Sequence, residues 1–405
     1  MPGERAEQIR FDADRRRAIP GNLSEASGEK LKMRVLSVCS YPNDSATTRY
    51  RLTQFVEPLA RRGIDLEISS FFDDEQFRQF YKNKSLFKAM TEMSTPVLRR
   101  VAQIRKARGY DVLLVQREAM NFGPAVFEWI FQKFGGLPML LDLDDATYIP
   151  YTSPTFGKIG SFFKFFGKTD KLIERADVVI CGNRFIAEYV EKKGTEAVII
   201  PTVVDTSEFK PIEKNNAIPI VGWIGTHSTF PLLQSIFPVL QKLAEKHRFT
   251  LKIVGSGREH GEIEGVTIEN LAWNLERETA DFQSLDIGVY PITVSSTHSD
   301  EWLLGKSGFK AIQYLAVGIP FVMTPVGVCG EIGEPGATHF NALSDEDWYN
   351  ALDKLLDDEN LRKQMGKAGR MVSLRDYTIE MQFEKLEDTL RRVYRNRRVS
   401  SAEAS

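Results

Sequence analysis

The sequence of 405 residues predicts an α/β protein with two doubly wound domains that face a central cleft. Two observations predict this fold. Short segments that are apolar throughout alternate with amphipathic helical segments, and the whole pattern starts again after a linker at 201–211. Strands without a polar face are typical of parallel sheets that helices cover on both sides. Because such sheets bind ligands beyond the carboxyl ends of their strands, we expect the active site between the two domains.

The first domain is predicted over residues 33–201. Residues 1–32 before it are polar and weakly periodic, which predicts a flexible extension. The predicted strands of the first domain are 33–40, 65–71, 112–116, 139–143, 178–181 and 198–201. Turn residues at 42–45 and a helical period over 50–62 follow the first of these strands.

The second domain is predicted over residues 202–377. Its predicted strands are 220–224, 251–254, 266–269, 287–290 and 321–324. A last helix is expected over 378–395, and the polar residues 396–405 predict a flexible tail.

Composition excludes several classes of protein. The formal net charge is −2, whereas a general nucleic-acid binder carries a basic excess, so no nucleic-acid partner is expected. The cysteines Cys39, Cys181 and Cys329 lie far apart, which argues against a zinc site or a disulfide framework and favours a cytoplasmic location. No apolar run is long enough for a membrane span or fits a signal peptide. We therefore expect a cytoplasmic protein or one bound peripherally at the inner face of the cell membrane.

Four segments carry a resemblance to a known family. They are DEWLLGKSGFKAIQYLAVGIP at 300–320, VIIPTVVDTSEFKP at 198–211, ADVVIC at 176–181 and IVGSG at 253–257. Over residues 33–395 the chain resembles the family 4-like (group 1) retaining glycosyltransferases of the GT-B fold, in which two Rossmann-like domains face a cleft. The most specific part combines Lys306, Lys310, Gln-Tyr-Leu-Ala and Gly-x-Pro at fixed spacing. The resemblance also implies that the last helix returns to the first domain.

Two departures distinguish this chain from the commoner family pattern. Two glutamates stand eight positions apart in that pattern, and the aligned residues here are Gly305 and Gln313. Many relatives also have an arginine at the position of Thr226 and a lysine shortly after it, and both are missing. The chain instead resembles a subgroup with Lys-x-x-x-Lys-x-x-Gln-Tyr.

The resemblance implies transfer of a sugar from a nucleotide-diphosphate sugar to a glycan or lipid-linked acceptor. Family members retain the anomeric configuration, need no metal or other cofactor, and build bacterial surface polysaccharides and glycolipids. Two alternatives stay open. The missing glutamates favour a non-catalytic nucleotide-sugar-binding scaffold, and a nucleotide-sugar epimerase is conceivable on the same fold.

Four residues are candidates for the catalytic step. Lys306 and Lys310 are one helical turn apart and can stabilise the charge that develops on a departing diphosphate. Asp144 and Asp145 follow the strand 139–143 and are expected in the cleft, where one of them orients the sugar or acceptor or acts as a base. Helix capping by Asp145 is the structural alternative. The segment LDLDDA at 141–146 also contains an Asp-x-Asp pattern, Asp142 and Asp144, which can indicate a divalent metal. The resemblance implies metal-independent transfer, so no metal is expected.

Further residues are candidates for binding. Those expected at the donor are Gly225, Thr226, His227, Arg258, Asp300, Glu301 and Gln313. Those expected at the acceptor are Ser45, Thr48 and Arg49, while Arg51 is expected to be a charge on the helix surface. The glycine allows close approach of a phosphate, Gln313 aligns with the residue that binds the ribose, and Arg49 can meet a phosphate of donor or acceptor. For the charged residues, a solvated surface position is the alternative. His339 is expected on the surface.

Two segments, 77–108 and 156–171, combine basic and aromatic residues. Such segments can lie on an anionic membrane surface, which suits a lipid-linked acceptor. Helices with aromatic residues packed inward and lysines outward are the alternative.

Overall fold

The two predicted strand series form two separate parallel sheets of six strands each in the computed structural model. The structure describes residues 32–82, 93–152, 157–257, 262–292 and 300–403. Residues 1–31 of the predicted extension and residues 404–405 of the predicted tail lie outside the described residues. The prediction of an α/β fold with two doubly wound domains is confirmed.

The first sheet has the strand order β2-β1-β3-β4-β5-β6. Its strands are β1 (Met33–Cys39), β2 (Ile64–Ser70), β3 (Val112–Gln116), β4 (Met139–Leu143), β5 (Val178–Cys181) and β6 (Ala197–Ile199). Alternate side chains pack on opposite faces: Leu36 and Val38 join the core around Phe131, whereas Val35 joins the core around Leu59. Both faces are therefore covered, as the apolar strands predict.

The second sheet has the order β12-β11-β10-β7-β8-β9. Its strands are β7 (Ile220–Ile224), β8 (Thr250–Val254), β9 (Thr267–Leu271), β10 (Ile287–Tyr290), β11 (Phe321–Met323) and β12 (His339–Asn341). Gly222 and Gly288 allow helices to pack closely on this sheet, since a Cβ on either would lie within 2.8 Å of Leu285 or of the Tyr314 ring.

Helices cover both sheets. In chain order they are α1 (46–61), α2 (Asp74–Lys82), α3 (Ser94–Lys106), α4 (Val126–Gly135), α5 (Gly157–Lys164), α6 (Lys168–Arg175), α7 (Arg184–Lys192), α8 (Phe230–Gln234), α9 (Phe237–Ala244), α10 (Glu278–Gln283), α11 (Asp300–Leu304), α12 (Phe309–Val317), α13 (Asp345–Asp357), α14 (Glu359–Asp376) and α15 (Ile379–Glu403). Helix α1 contains a π-helical turn, Arg49–Thr53, between its two α-helical parts. Helix α15 packs on the first domain, where Phe383, Leu386 and Leu390 are buried in the same core as Leu59.

One strand and one histidine were misjudged from the sequence. The strand β12 is only three residues long, and its sequence HFN lacks the apolar run that marked the others. His339, expected on the surface, is buried in this strand and stacks on Phe321 with ring centroids 4.9 Å apart. Burial lowers the pKa of His339 to about 4, so the imidazole is neutral.

No helix in the described ranges is long and apolar enough to cross a membrane.

Candidate active site

A cavity of about 610 Å³ lies between the carboxyl ends of the two sheets. The first domain contributes residues that follow β1, β3 and β4, and the second contributes residues that follow β7 and β10 and that surround the start of α12. The polar and aromatic lining includes Tyr41, Ser45, Thr47, Arg117, Asp144, Asp145, Thr226, His227, Ser228, Tyr290, Trp302, Lys306 and Lys310. The site therefore lies where parallel sheets present their ligand-binding edges.

Lys306 and Lys310 face this cavity together from the loop before α12 and from its first turn. The Lys306 Nζ lies 3.5 Å from the centroid of the Trp302 ring, and the Lys310 Nζ lies 5.6 Å from that of Tyr290. Burial lowers the pKa of both lysines, that of Lys310 to about 8 with a further contribution from neighbouring Lys306. Among the residues that the structure describes, no carboxylate or carbonyl hydrogen-bonds either ammonium group. Asp145 attracts both charges from beyond ion-pair distance. Two close cations without a directly bound counter-ion form a site for a multivalent anion.

Arg117 lies across the cavity from the lysines and has an unusual backbone. Its φ of 58° is in the left-handed region that residues other than glycine rarely adopt. Its guanidinium bonds Asp144 through Nε at 2.5 Å and Nη2 at 2.7 Å, and Nη2 also lies 2.8 Å from the Asp145 Oδ2. Strain of this kind is held by surrounding contacts and is concentrated at functional sites.

Asp144 and Asp145 differ in how many partners they have. The two oxygens of Asp144 accept hydrogen bonds from Thr47, Gln116 and Arg117, and its side chain is 9% exposed. Burial acts to raise the pKa of Asp144, but the Arg117 guanidinium outweighs it and lowers this pKa to about 2. The Asp145 side chain is 29% exposed, and Arg117 is its one hydrogen-bond donor within the described ranges. Asp145 is therefore the carboxylate that remains open to a ligand.

Arg51 does not lie on the helix surface, so that prediction was wrong. It is buried and forms an ion pair with Asp142, the first aspartate of the β4 end, with Nε 3.0 Å from Oδ2. Its Nη1 donates to the Ile200 carbonyl at 2.6 Å. The pairing fixes α1 against the ends of β4 and β6. The one visible signal was its position beside Leu52 and one turn before Phe55, both on the buried face of α1.

The three residues expected at the acceptor are separated by the structure. Ser45 lines the cavity, whereas Thr48 is buried and donates to the Tyr41 carbonyl at 2.8 Å. Arg49 crosses to the second domain, where it lies 3.0 Å from Glu278 and over the Trp273 ring. Arg49 therefore joins the two domains, with Tyr50, whose hydroxyl donates to the same Glu278 carboxylate at 2.8 Å.

The residues expected at the donor also fall into groups. Gly225, Thr226 and His227 follow β7, and the last two line the cavity. Close packing requires Gly255 near Gly225: its φ is 82°, and a Cβ there would lie 2.3 Å from the Gly225 oxygen. Gln313 is buried in α12 and is not part of the lining. Of the others, Glu301 is exposed in α11, Asp300 begins that helix, and Arg258 lies outside the described residues.

Gly305, which aligns with a glutamate of the commoner family pattern, lies at the contact between the domains. A Cβ at this position would be 2.3 Å from the Cβ of Ala146, directly after Asp145. The neighbouring carbonyl of Lys306 accepts a hydrogen bond from Asn183 of the first domain at 3.2 Å. In this arrangement a glutamate side chain has no room, and the loop that carries Asp145 occupies the space.

Several residues of the site were missed from the sequence. Arg117 directly follows a predicted strand, so the rule that selected Asp144 would also have selected it. Trp302 lies within the recognised signature. Glu278 carried no signal, because only the folded chain brings it to Arg49 and Tyr50.

No family model matches the sequence, and no curated protein matches it either. Several solved structures are similar. Sucrose-phosphate synthase from Thermosynechococcus elongatus has a TM-score of 0.60 at 15% identity, over 90% of this chain and all of that one. HepE from Anabaena, in complex with UDP and glucose, has a TM-score of 0.59 at 13% identity, over 88% of this chain and 99% of that one.

A glycosyltransferase from Rickettsia africae is similar to the same degree, with a TM-score of 0.59 at 14% identity, over 90% of this chain and all of that one. At such identities the similarity establishes the fold. With the two parallel sheets and the cavity at their facing edges, it shows that this chain has the two-domain, Rossmann-like GT-B fold.

Proposed function

We propose that the protein is a glycosyltransferase that moves a sugar from a nucleotide-diphosphate sugar to a glycan or lipid-linked acceptor. The observation that carries the proposal is the pair Lys306 and Lys310, two ammonium groups that face the cavity without a described counter-ion. A diphosphate supplies the negative charge that this pair lacks. Complexes of the similar HepE with UDP and UDP-glucose favour a uridine nucleotide as the first donor to test.

Charge stabilisation is the main chemical task of this site. When the bond between the sugar and the diphosphate breaks, negative charge accumulates on the leaving oxygen. Lys306 and Lys310 would stabilise this charge, since a lysine whose pKa is about 8, such as Lys310, is still mostly protonated at pH 7, and a bound anion would raise this pKa further. The amino end of α12 lies beside them and adds the positive end of its dipole.

The aspartates have different roles in this proposal. Asp144, which Thr47, Gln116 and Arg117 hold, positions the end of β4. Asp145 orients the hydroxyls of the donor sugar or the acceptor from the side of the first domain, in place of the glutamate that Gly305 replaces. Transfer with retention then needs no protein nucleophile, since the departing phosphate can take the acceptor proton. Neither metal nor other cofactor enters this scheme.

Bacterial surface polysaccharide or glycolipid synthesis is the pathway we propose. The resemblance at 300–320 supports this pathway. A lipid-linked acceptor would hold the protein at the inner face of the cell membrane.

The test is thermal unfolding in the presence of UDP-, GDP-, ADP-, CMP- and dTDP-sugars. One nucleotide class should raise the melting temperature, because a ligand of the folded state stabilises it. The double variant Lys306→Ala with Lys310→Ala should lose the effect. Lys242→Ala with Lys354→Ala is the matched control, since these lysines also lie over aromatic rings, Tyr349 and Phe340, but outside the cavity.

Turnover then separates the alternatives. Sugar transfer to an added acceptor supports the proposal. Binding without any turnover would favour the scaffold, and conversion of the donor alone would favour an epimerase. If no nucleotide shifts the melting temperature at millimolar concentration, the proposed function is wrong.

A further inference from the structure

Two helices of the first domain expose large apolar side chains. Ile159, Phe162 and Phe163 of α5 recur at helical spacing and are 60%, 75% and 39% exposed. Phe165 follows them at 46%, and Trp129 and Phe134 of α4 are 40% and 56% exposed. We call these six residues the aromatic face. The helices are linked, because the Gly123 amide just before α4 donates to the Phe163 carbonyl at 2.9 Å.

Contacts on the inner side of this segment fix the outward direction of these rings. Lys164 and Lys168 point inward and form ion pairs with buried Glu118, at 3.0 and 2.6 Å. Between them, Phe165 has a φ of 55°, an uncommon conformation for a bulky residue. These contacts hold the backbone so that the phenylalanine rings point into water. Exposed rings cost free energy unless they pack against another apolar surface or enter a lipid layer.

The exposed charges on the two helices of the aromatic face have one sign. On α4 and α5 the exposed charged residues are Lys133 and Lys158, and the single acid, Glu128, is buried against the Ala119 amide. The neighbouring segment 94–109 contains no acid and exposes Arg105, Lys106 and Arg108. Arg108 lies against this face, where its Nε contacts the Phe134 carbonyl at 3.4 Å.

We propose that the aromatic face docks on an anionic lipid bilayer. Its phenylalanines would enter the boundary of the acyl chains, and Lys133, Lys158 and the arginines would meet the phosphates of the headgroups. Exposed aromatic rings on short helices, with lysines and arginines beside them, match the surface of an anionic bilayer. The surface differs from the predicted segments: Lys168 and Arg100 are buried, Lys164 is half-buried, and residues 83–92 and 153–156 lie outside the described chain.

The same face lies close to the cavity. Lys164 donates to the Asn121 side chain at 3.0 Å, and that side chain accepts from the hydroxyl of Tyr41, which lines the cavity. A docked protein would thus hold the first-domain side of the site near the membrane, where a lipid-linked acceptor lies. Docking itself does not depend on the proposed function and can be measured without any sugar.

The experiment is sedimentation of the full chain with vesicles of phosphatidylglycerol and, separately, of phosphatidylcholine. Binding to phosphatidylglycerol that weakens with salt is expected, with little binding to phosphatidylcholine. Phe162→Ser with Phe163→Ser should lower the partition coefficient at least about tenfold. Leu343→Ser with Met371→Ser is the matched control, because these side chains are 77% and 67% exposed on the second domain. Lys133→Glu with Lys158→Glu should weaken binding to phosphatidylglycerol alone.

Three results would overturn the proposal. They are no binding to phosphatidylglycerol, equal loss in the control variant, and a dimer that Phe162→Ser with Phe163→Ser turns into a monomer without any vesicle binding. The last result would identify a contact between copies of this chain. Melting temperatures of all variants show that they are folded, and nucleotide shifts measured in parallel report on the proposed function independently.

Discussion

The cations of the two domains differ in their partners. In the first domain, Arg51 and Arg117 are paired with aspartates at the end of β4. In the second domain, Lys306 and Lys310 face the cavity and lie over aromatic rings, and no carboxylate of the described residues forms an ion pair with either. Paired buried charges hold loops in place, whereas an unpaired charge makes the protein less stable and leaves it able to bind an anion. The comparison assigns positioning to the arginines of the first domain and anion binding to the lysines of the second.

The largest effect is expected from Arg51→Ala. It leaves the Asp142 carboxylate buried without its counter-ion, which should lower the free energy of unfolding by about 3–5 kcal/mol. Chemical denaturation measures it. Arg61→Ala serves as the control, since its ion pair with Glu57 is exposed and should matter little. An unchanged denaturation midpoint for Arg51→Ala would contradict the positioning role.

Lys310→Met is expected to have the opposite effect and to raise the free energy of unfolding. The pKa of this lysine is about 8 when folded against about 10.5 ordinarily, so the unfolded chain binds the proton more strongly. At pH 7 the variant should be more stable than the wild type by at most about 3 kcal/mol. The difference should shrink between pH 8 and 10.5, where the wild type gains stability with rising pH because folding releases a proton that the unfolded chain still holds.

Thermal unfolding at pH 7 and at pH 10 tests this expectation, with Lys242→Met as the control lysine. The same variant should lose stabilisation by nucleotide. A Lys310→Met protein that is less stable at pH 7 would show that the ammonium group has a partner after all.

The aspartates sharpen the comparison within the first domain. Asp145→Asn should lower kcat about a hundredfold with little change in melting temperature, because this side chain has one partner and faces the cavity. Asp144→Asn should instead lower the free energy of unfolding by about 2 kcal/mol, since Arg117 loses a charged partner. Steady-state kinetics and chemical denaturation of both variants test this difference. If Asp144→Asn mainly lowered kcat and Asp145→Asn mainly lowered stability, the two roles would be exchanged.

The smallest effect concerns the contact between the domains. Gly305→Ala places a methyl group against Ala146 and should cost about 1–3 kcal/mol in stability or a corresponding loss of activity. Ala146→Gly in the same chain should restore most of the loss. No effect of Gly305→Ala would mean that the domains do not approach this closely in solution.

Much of this molecule was readable from local sequence. Apolar runs identified the strands because a strand covered on both faces admits few polar residues, and the short polar β12 was missed for the same reason. The aspartates after β4 were selected because side chains beyond parallel strands meet at one edge, whereas Lys306 and Lys310 were selected through the resemblance at 300–320. The phenylalanines of α5 indicated part of its exposed face from the sequence. The inward direction of the neighbouring lysines could not be predicted from it.

The sequence alone determined the fold class, the strand series and which residues lie near the strand ends, since these depend on local periodicity. Only the tertiary structure decided which charges are neutralised. Arg51 and Asp142 are 91 positions apart and Arg49 and Glu278 are 229 apart, so no spacing reveals either pair. Whether a buried charge stabilises the protein or binds a ligand depends on the groups that folding places around it, because a buried site of low dielectric strengthens their interactions and leaves little water to stabilise a charge without a partner.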